Sequence, residues 1–166
     1  MMSQEQNDLI TRIGPGTPAG RLMRNYWQPA ALLDELDSGP RPIRPVRLLG
    51  QNFVIFRDEA GRLGMLDRDC PHRGADLAFG RLEGGGLRCA FHGWLFDVDG
   101  NCLETPAEPA GSNLCRNVRQ KSYPVTERGG ILWAWLGEAA PTAFPELDCF
   151  AAPDAYTFAF KGKMEC

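Results

Sequence analysis

The sequence contains two short, similar stretches: CPHRG at residues 70–74 and CAFHGW at residues 89–94. Each combines one cysteine with one histidine, as C-x-H in the first and C-x-x-H in the second, and these are the 2 histidines of the chain. Because each stretch contains proline or glycine, both are predicted to be loops. The intervening residues, with glycines at 84–86, are typical of a β-hairpin that would bring the two loops to one end of a sheet.

The four side chains Cys70, His72, Cys89 and His92 therefore form a candidate metal site. One interpretation is that they are core cysteines and surface histidines that are neighbours by chance. A second is a structural zinc site, although zinc fingers usually draw their two cysteines from one turn and their two histidines from another element. A third is a [2Fe–2S] cluster in which two cysteines hold one iron and two histidines hold the other, which suits loops that each supply one of both.

Composition excludes several classes of function. The formal net charge of −3 gives no support for nucleic-acid binding. The longest strongly apolar run, residues 131–136, is too short to cross a bilayer, so no membrane segment is expected. The first ten residues lack the basic and apolar regions of a signal peptide. We expect a cytoplasmic chain whose 6 cysteines are not structural disulfides.

The rest of the pattern predicts an all-β chain of small antiparallel sheets. Short runs of branched and aromatic residues alternate with turn sequences at residues 58–61, 99–100 and 129–130, and each turn sequence joins two predicted strands. Two short helical segments, over residues 6–12 and 19–25, are predicted to precede the strands.

The chain resembles the N-terminal half of Rieske non-haem iron oxygenases over essentially its whole length, and most closely the phthalate 4,5-dioxygenase-like group, which is related to vanillate O-demethylase. The resemblance is carried by CPHRGADL with CAFHGWLFD, by NDLITRIGPGTPAGRLMRNYWQPAAL, by VRLLGQNFVIFRDEAGRLGMLDRDCPHRGADLAFGRLE and by CLETPAEP. It implies a Rieske fold with the cluster-binding loops at one tip. It also implies that Cys70 and Cys89 hold one iron of a Rieske [2Fe–2S] cluster, and that His72 and His92 hold the other.

Three positions separate the chain from the high-potential Rieske proteins of respiratory complexes. Ala75 and Phe91 stand where those proteins have two further cysteines joined by a disulfide, and Trp94 stands where they have a serine. Without that hydroxyl donor, the reduced cluster is less stabilised. We therefore expect a reduction potential toward the low end of the Rieske range, about −150 mV.

The resemblance also implies partners. In this family a separate flavin reductase or ferredoxin donates the electron, and the Rieske domain passes it to a mononuclear Fe(II) in a catalytic domain, usually across a subunit boundary in a homotrimer. That iron is held by two histidines and one carboxylate. No histidine beyond the two loops remains for it here, so no catalytic residue is assigned in this chain.

The resemblance divides the chain into three parts. Residues 1–26 are expected to be a helical lead-in, residues 27–148 the Rieske domain, and residues 149–166 the start of a truncated catalytic domain. The last part is predicted to include an amphipathic strand over residues 156–166.

Two rival functions stay open from the sequence: a free-standing Rieske ferredoxin shuttle, and a zinc-stabilised binding module. A minimal ferredoxin domain is about 100 residues, shorter than this chain, which favours the domain of an aromatic-ring hydroxylating or O-demethylating oxygenase. Cys102 and Cys115 lie outside the ligand spacing and are predicted to be packing residues.

Overall fold

The computed structural model describes residues 2–109 and 111–156. The strands found in these ranges are β1 Gln28–Leu32, β2 Ile43–Leu48, β3 Gln51–Arg57, β4 Leu63–Asp67, β5 Arg81–Glu83, β6 Gly86–Arg88, β7 Leu95–Phe96, β8 Cys102–Glu104, β9 Val125–Arg128 and β10 Ile131–Ala134. The α-helices found there are α1 Gln4–Thr11, α2 Pro18–Met23, α3 Leu33–Asp37, α4 Leu114–Asn117 and α5 Asp148–Ala151. Two 3₁₀-helices, Leu77–Phe79 and Pro153–Ala155, complete the description.

The described strands form three small antiparallel sheets, with the orders β1-β10-β9, β2-β3-β4 and β5-β6-β7-β8. The all-β prediction is confirmed. Each predicted turn joins paired neighbours: residues 58–61 join β3 to β4, residues 84–86 lie at the turn between β5 and β6, residues 99–100 join β7 to β8, and residues 129–130 join β9 to β10.

Strand β3 is the central structural element, because both of its faces are buried. Phe53 and Ile55 pack in a first core with residues of β1, β4 and β10, while Val54 and Phe56 pack in a second core with residues of β4, β6 and β7. Successive side chains of a strand point to opposite faces, which explains why FVIF is an uninterrupted apolar run. Full burial of each such side chain contributes about 1.5–3 kcal/mol. The second core reaches the two Cys-and-His stretches.

The two N-terminal helices exist as predicted, but each begins and ends earlier in the chain. The Ser3 side chain accepts a hydrogen bond from the Gln6 backbone N–H and starts α1, and the Thr17 side chain caps α2 ahead of Pro18. Side-chain capping sets where a helix begins, and hydrophobic periodicity locates that point only loosely. None of the described helices has the length and apolarity that crossing a membrane requires.

The amphipathic strand predicted over residues 156–166 lies outside the described residues except for Tyr156. The described part of the segment from Cys149 onward consists of α5 and the second 3₁₀-helix.

Candidate metal centre

The first Cys-and-His stretch forms loop 1, which we define as residues 70–75, after β4. The backbone N–H of Gly74 donates to the Cys70 carbonyl at 2.8 Å, and the Cys70 N–H donates to the Ala75 carbonyl at 2.8 Å. Gly74 has a φ of +67°, a left-handed conformation that L side chains adopt only with strain. The loop is therefore a tight, closed turn with its cysteine at the base.

The second stretch forms loop 2, defined as residues 89–94, and it closes in the same way. The Gly93 N–H donates to the Cys89 carbonyl at 3.1 Å, the Cys89 N–H donates to the Trp94 carbonyl at 2.8 Å, and Gly93 has a φ of +75°. Glycine stands four residues after the cysteine in both loops, although the histidine stands two residues after it in loop 1 and three in loop 2. The two loops therefore have the same backbone hydrogen bonds and differ in the position of the histidine along the loop.

Both cysteines are buried in the second core. Cys70 is 3% exposed and Cys89 is 2% exposed. Burial raises the pKa of the Cys70 thiol to about 11, and the adjacent Cys89 adds to this, while the backbone N–H groups of His72 and Arg73 at the sulfur act in the opposite direction. The Cys70 thiol therefore keeps its proton at neutral pH unless a metal ion replaces that proton.

The two imidazoles lie together, with ring centroids 4.7 Å apart. His72 also stacks on the Trp94 indole, with centroids at 4.4 Å and planes 4° apart. Partial burial, together with the neighbouring His92 and Arg73, lowers the pKa of His72 and so favours the neutral imidazole, which is the form that binds metals.

One atom of this site lacks the partner that a buried polar atom needs. The Nδ1 atom of His72 is buried and has no hydrogen-bond partner. Among the described residues, one other buried side-chain nitrogen or oxygen, Arg24 Nε, shares this condition. An unpaired buried nitrogen costs free energy, so it is retained where it has another use, and metal coordination is one such use.

The donor set fits a [2Fe–2S] cluster. The two thiols lie next to each other and the two imidazoles lie next to each other, and a Rieske cluster takes two of each, with both ligands of one type on the same iron. Within residues 2–109 and 111–156, no group of three or more His, Cys, Asp and Glu side chains is placed to hold a metal ion. The structure therefore forms a thiol pair, Cys70 with Cys89, and an imidazole pair, His72 with His92, and the joint ligation of one cluster by all four side chains stays a prediction.

Arg88 supports loop 2 from the preceding strand. Its Nη1 donates to the Gly93 carbonyl at 2.6 Å, its Nη2 donates to Glu104 at 2.5 Å, and its Nε donates to Glu83. The Arg88 side chain is only 13% exposed, although its partners Glu83 and Glu104 are 42% and 49% exposed, and bonds with an ionised donor and acceptor are stronger than neutral ones. Arg88 thereby ties the turn of loop 2 to strands β5 and β8.

We predict that Arg88→Gln lowers the free energy of unfolding by about 2–3 kcal/mol, because the amide cannot replace three charge-assisted bonds, leaves Glu104 without this cation and leaves Glu83 with Arg81 alone. Urea unfolding followed by circular dichroism measures this. The matched control is Arg81→Gln in the same hairpin, since the Arg81 side chain is 60% exposed and pairs with Glu83 at the longer distance of 3.4 Å. Its loss should stay below about 1 kcal/mol. Equal losses in the two variants would contradict a supporting role for Arg88.

Arg68 and Asp76 brace loop 1 in a similar way. Two nitrogens of Arg68 donate to the two carboxylate oxygens of Asp76 at 2.8 and 2.5 Å, and Asp76 also accepts the backbone N–H of Ala78 at 2.9 Å. The Arg68 guanidinium lowers the pKa of Asp76 most, and the Ala78 N–H also lowers it. A bidentate pair of this kind fixes the exit of loop 1 relative to its entry.

The depressed pKa of Asp76 predicts a pH-dependent contribution to stability. In the folded state Asp76 releases its proton at lower pH than in the unfolded chain. Its contribution is therefore complete above the unfolded pKa, near 4, and is lost as the pH falls through the folded value. We predict that Asp76→Asn destabilises the protein by about 1–3 kcal/mol at pH 6. The difference from wild type should shrink as urea titrations move below pH 4.

The matched control for this titration is Asp37→Asn. Asp37 pairs with Arg57, but its side chain is 46% exposed, so the variant should change stability by less than about 1 kcal/mol at pH 6. A difference between wild type and Asp76→Asn that stays constant from pH 6 to pH 3 would argue against the ionised Asp76 as the stabilising form.

Gln120 fixes the entry to loop 1 from a distant part of the chain. It is 4% exposed, and its Nε2 donates to the carbonyls of Asp67 at 2.7 Å and Asp69 at 2.8 Å. Asp69 directly precedes Cys70. Sequence reasoning missed Gln120, Arg88 and Asp76. Arg88 directly precedes Cys89 in the sequence, and this position could have indicated its role. Gln120 lies far from both loops along the chain, and no neighbouring residue indicates its role.

With this geometry in hand, the chain can be compared with known protein families. Residues 26–124, more than half of the chain, match the Rieske [2Fe-2S] domain. The matched segment includes both loops together with Arg68, Asp76, Arg88 and Gln120.

Curated relatives are similar over most of this chain. The 5,5'-dehydrodivanillate O-demethylase oxygenase subunit of Sphingobium sp. is 46% identical over 164 residues, which cover 97% of this chain and 36% of that protein. The phthalate 4,5-dioxygenase oxygenase subunit of Pseudomonas putida is 44% identical over 148 residues, covering 87% of this chain and 34% of that protein. The chain thus spans about a third of the length of these relatives.

Solved structures agree with the fold. A crystal structure of dicamba monooxygenase with non-heme iron and dicamba aligns with a TM-score of 0.65 at 34% identity. The alignment covers 78% of this chain and 39% of that one.

Proposed function

Because the chain belongs to the Rieske [2Fe–2S] domain family, we propose that residues 27–148 relay electrons from a separate reductase or ferredoxin to the mononuclear iron of an oxygenase. The observation that carries this proposal is the buried Nδ1 of His72, which has no hydrogen-bond partner and whose ring lies beside that of His92. The same His72 ring stacks on Trp94, which packs in the second core with the two buried cysteines.

In this proposal Cys70 and Cys89 hold, as thiolates, the iron that stays ferric. His72 and His92 hold the iron that changes oxidation state. When bound, the cluster accepts one electron and releases it again. A metal-bound nitrogen at Nδ1 would account for the missing hydrogen-bond partner of His72.

The remaining residues of the site orient these ligands and keep water from them. Trp94 covers one face of His72, and Phe91, which is 62% exposed, packs its ring against His92 at 3.9 Å. Arg88 and Gln120 hold the backbone of the two loops in place. The imidazole pair is more exposed than the thiol pair, so we propose that electrons enter and leave at the imidazole side.

The oxygenase part of the proposal rests on the relatives, which are oxygenase subunits of an O-demethylase and of a dioxygenase. We propose an aromatic compound as the substrate of the complete enzyme, and hydroxylation of its ring or O-demethylation as the reaction. We further propose a cytoplasmic flavin reductase or ferredoxin as the donor, an oxygenase catalytic domain as the acceptor, and a homotrimer as the assembly.

The test is metal and acid-labile sulfide analysis of the purified chain, combined with EPR after reduction by dithionite. The proposal expects two irons and two sulfides per chain. It also expects a reduced signal at a lower average g value than all-cysteine clusters give. One zinc per chain with no sulfide and no signal would overturn it in favour of a zinc-stabilised module.

A further prediction concerns the reduction potential. We expect a midpoint near the low end of the Rieske range, about −150 mV, because Trp94 stands where a hydroxyl donor would stabilise the reduced state. A dye-mediated titration followed by EPR measures the midpoint. A midpoint toward the high end, about +300 mV, would contradict this assignment and would point to a respiratory type of centre.

A further inference from the structure

Two cysteines outside the proposed ligand set lie in contact with each other. The sulfurs of Cys102 in β8 and Cys115 in α4 are 3.3 Å apart, and the Cys115 sulfur is 3.0 Å from the Cys102 carbonyl oxygen. Both side chains are half-buried. A disulfide needs a sulfur–sulfur distance of about 2.05 Å, so the two thiols have to approach by only about 1.2 Å to form a bond. The prediction from the sequence treated both cysteines as packing residues and did not include the contact between their sulfurs.

The chain between these cysteines passes over loop 2. A Cβ atom added at Gly93 would lie 3.3 Å from Cγ of Pro106, so the proline ring rests directly on the turn after His92. Cys102 and Cys115 thus stand on either side of a stretch of chain whose described parts are residues 103–109 and 111–114, and Pro106 in this stretch lies against loop 2.

We propose that Cys102 and Cys115 are a thiol–disulfide redox site, which a low-molecular-weight disulfide oxidises and which then fastens the chain between them over loop 2, where Pro106 lies. The formation of this disulfide does not rest on the proposed electron relay and concerns residues outside the proposed ligand set, whereas its effect on iron release rests on the proposed cluster.

The reaction consists of two exchange steps. The Cys115 thiolate attacks one sulfur of the small disulfide, forms a mixed disulfide and releases the first small thiolate. The Cys102 thiolate then attacks the Cys115 sulfur, forms the Cys102–Cys115 bond and releases the second small thiolate. The two cysteine protons pass to the released thiolates. Two protein thiols are thereby oxidised by two electrons, and one small disulfide is reduced to two thiols.

The order of attack follows from the surroundings of the two thiols. Burial raises the pKa of Cys102 to about 12, and the contact with Cys115 adds to this, so Cys102 is a thiol at neutral pH and a poor first nucleophile. Once Cys115 carries the mixed disulfide, the second step is intramolecular between atoms already in contact, and proximity compensates for the low thiolate fraction.

The test uses the purified chain with the metal centre that it carries, and glutathione disulfide as the probe. After incubation with an excess of the probe, remaining thiols are blocked and the protein is digested with trypsin and a glutamate-specific protease. Cleavage after Glu104 separates Cys102 from Cys115, so their bond appears as two linked peptides in mass spectrometry. Fragmentation of the linked pair shows whether Cys102 or Cys89, which lies in the same peptide, carries the bond. The proposal expects this linked pair as the main product, and expects glutathione to remove it.

Two variants assign the bond. Cys102→Ser should stop at a stable mixed disulfide on Cys115, because the resolving thiol is missing. Cys149→Ser is the control and should form the linked pair as wild type does. Retention of both thiols in wild type, or a linkage that survives in Cys102→Ser, would overturn the proposal. If Cys102→Ser fails to fold, the peptide map of wild type alone decides the outcome.

The effect on the metal centre is measured separately, as the rate at which a chelator removes iron. The oxidised protein is expected to release iron at least about threefold more slowly than the reduced protein, because the fastened segment opens less often. Equal rates in a protein that does form the linked pair would overturn the fastening part of the proposal.

Discussion

Replacing Cys70 with serine is expected to lower the bound iron and sulfide more than about tenfold, because a structural metal site that loses a ligand also loses the coupling of metal binding to folding. Serine is close in size to cysteine, but its hydroxyl keeps its proton and is a poor ligand for iron. The buried position worsens the loss, since Cys70 is 3% exposed and water cannot supply a replacement ligand easily. Iron and sulfide analysis of equal amounts of folded protein measures the effect.

Cys149→Ser is the matched control for this experiment. Cys149 lies in α5, away from both loops. The next residue of this helix, Phe150, packs on Trp133 of β10. The control should keep its iron and sulfide at the level of wild type. A Cys70→Ser protein that retains the full complement of both would remove Cys70 from the ligand set and would call for a different set of four side chains.

Replacing Gly86 with alanine is expected to destabilise the protein by about 3 kcal/mol. A Cβ atom at Gly86 would lie 2.2 Å from the carbonyl oxygen of Phe96 and 2.8 Å from its carbonyl carbon, so it would collide with the backbone of β7. The backbone cannot rotate aside as a side chain can. Strands β6 and β7 would therefore separate, and they are the strands that enter and leave loop 2. Urea unfolding measures the loss.

Gly14→Ala is the control for this variant. Apart from the chain neighbours of Gly14, no atom of the described residues lies within 4 Å of a Cβ at this position, and neither Gly14 nor Gly86 has a positive φ, so the two substitutions differ mainly in the available space. The control should change stability by less than about 1 kcal/mol. Similar unfolding curves for both variants would show that β7 can move away from β6 without cost to the fold.

The sequence could predict the features that depend on neighbours along the chain. Glycine and aspartate pairs located the turns of the hairpins, because such residues adopt turn conformations at little cost. The spacing of cysteine and histidine predicted the candidate metal centre in two loops, and loops are indeed found there, because each is closed by hydrogen bonds within six residues, as between Cys70 and Ala75. The N-terminal helices were found, and their bounds were shifted because capping by Ser3 and Thr17 decides where they begin.

The tertiary structure alone decided which distant residues support the site. Gln120 reaches carbonyls that are more than fifty positions earlier in the chain, and Cys102 meets Cys115 across a separation of 13. Such contacts leave no periodic pattern, because they depend on how the other two sheets pack on the two faces of β3 and on where the chain after β8 crosses loop 2. By itself the sequence determined the four metal-binding candidates and the strands that carry them. Packing decided that Arg88 and Gln120 hold the backbone of the two loops. The hydrogen bonds involved join groups that come within 3 Å of each other only when the chain folds.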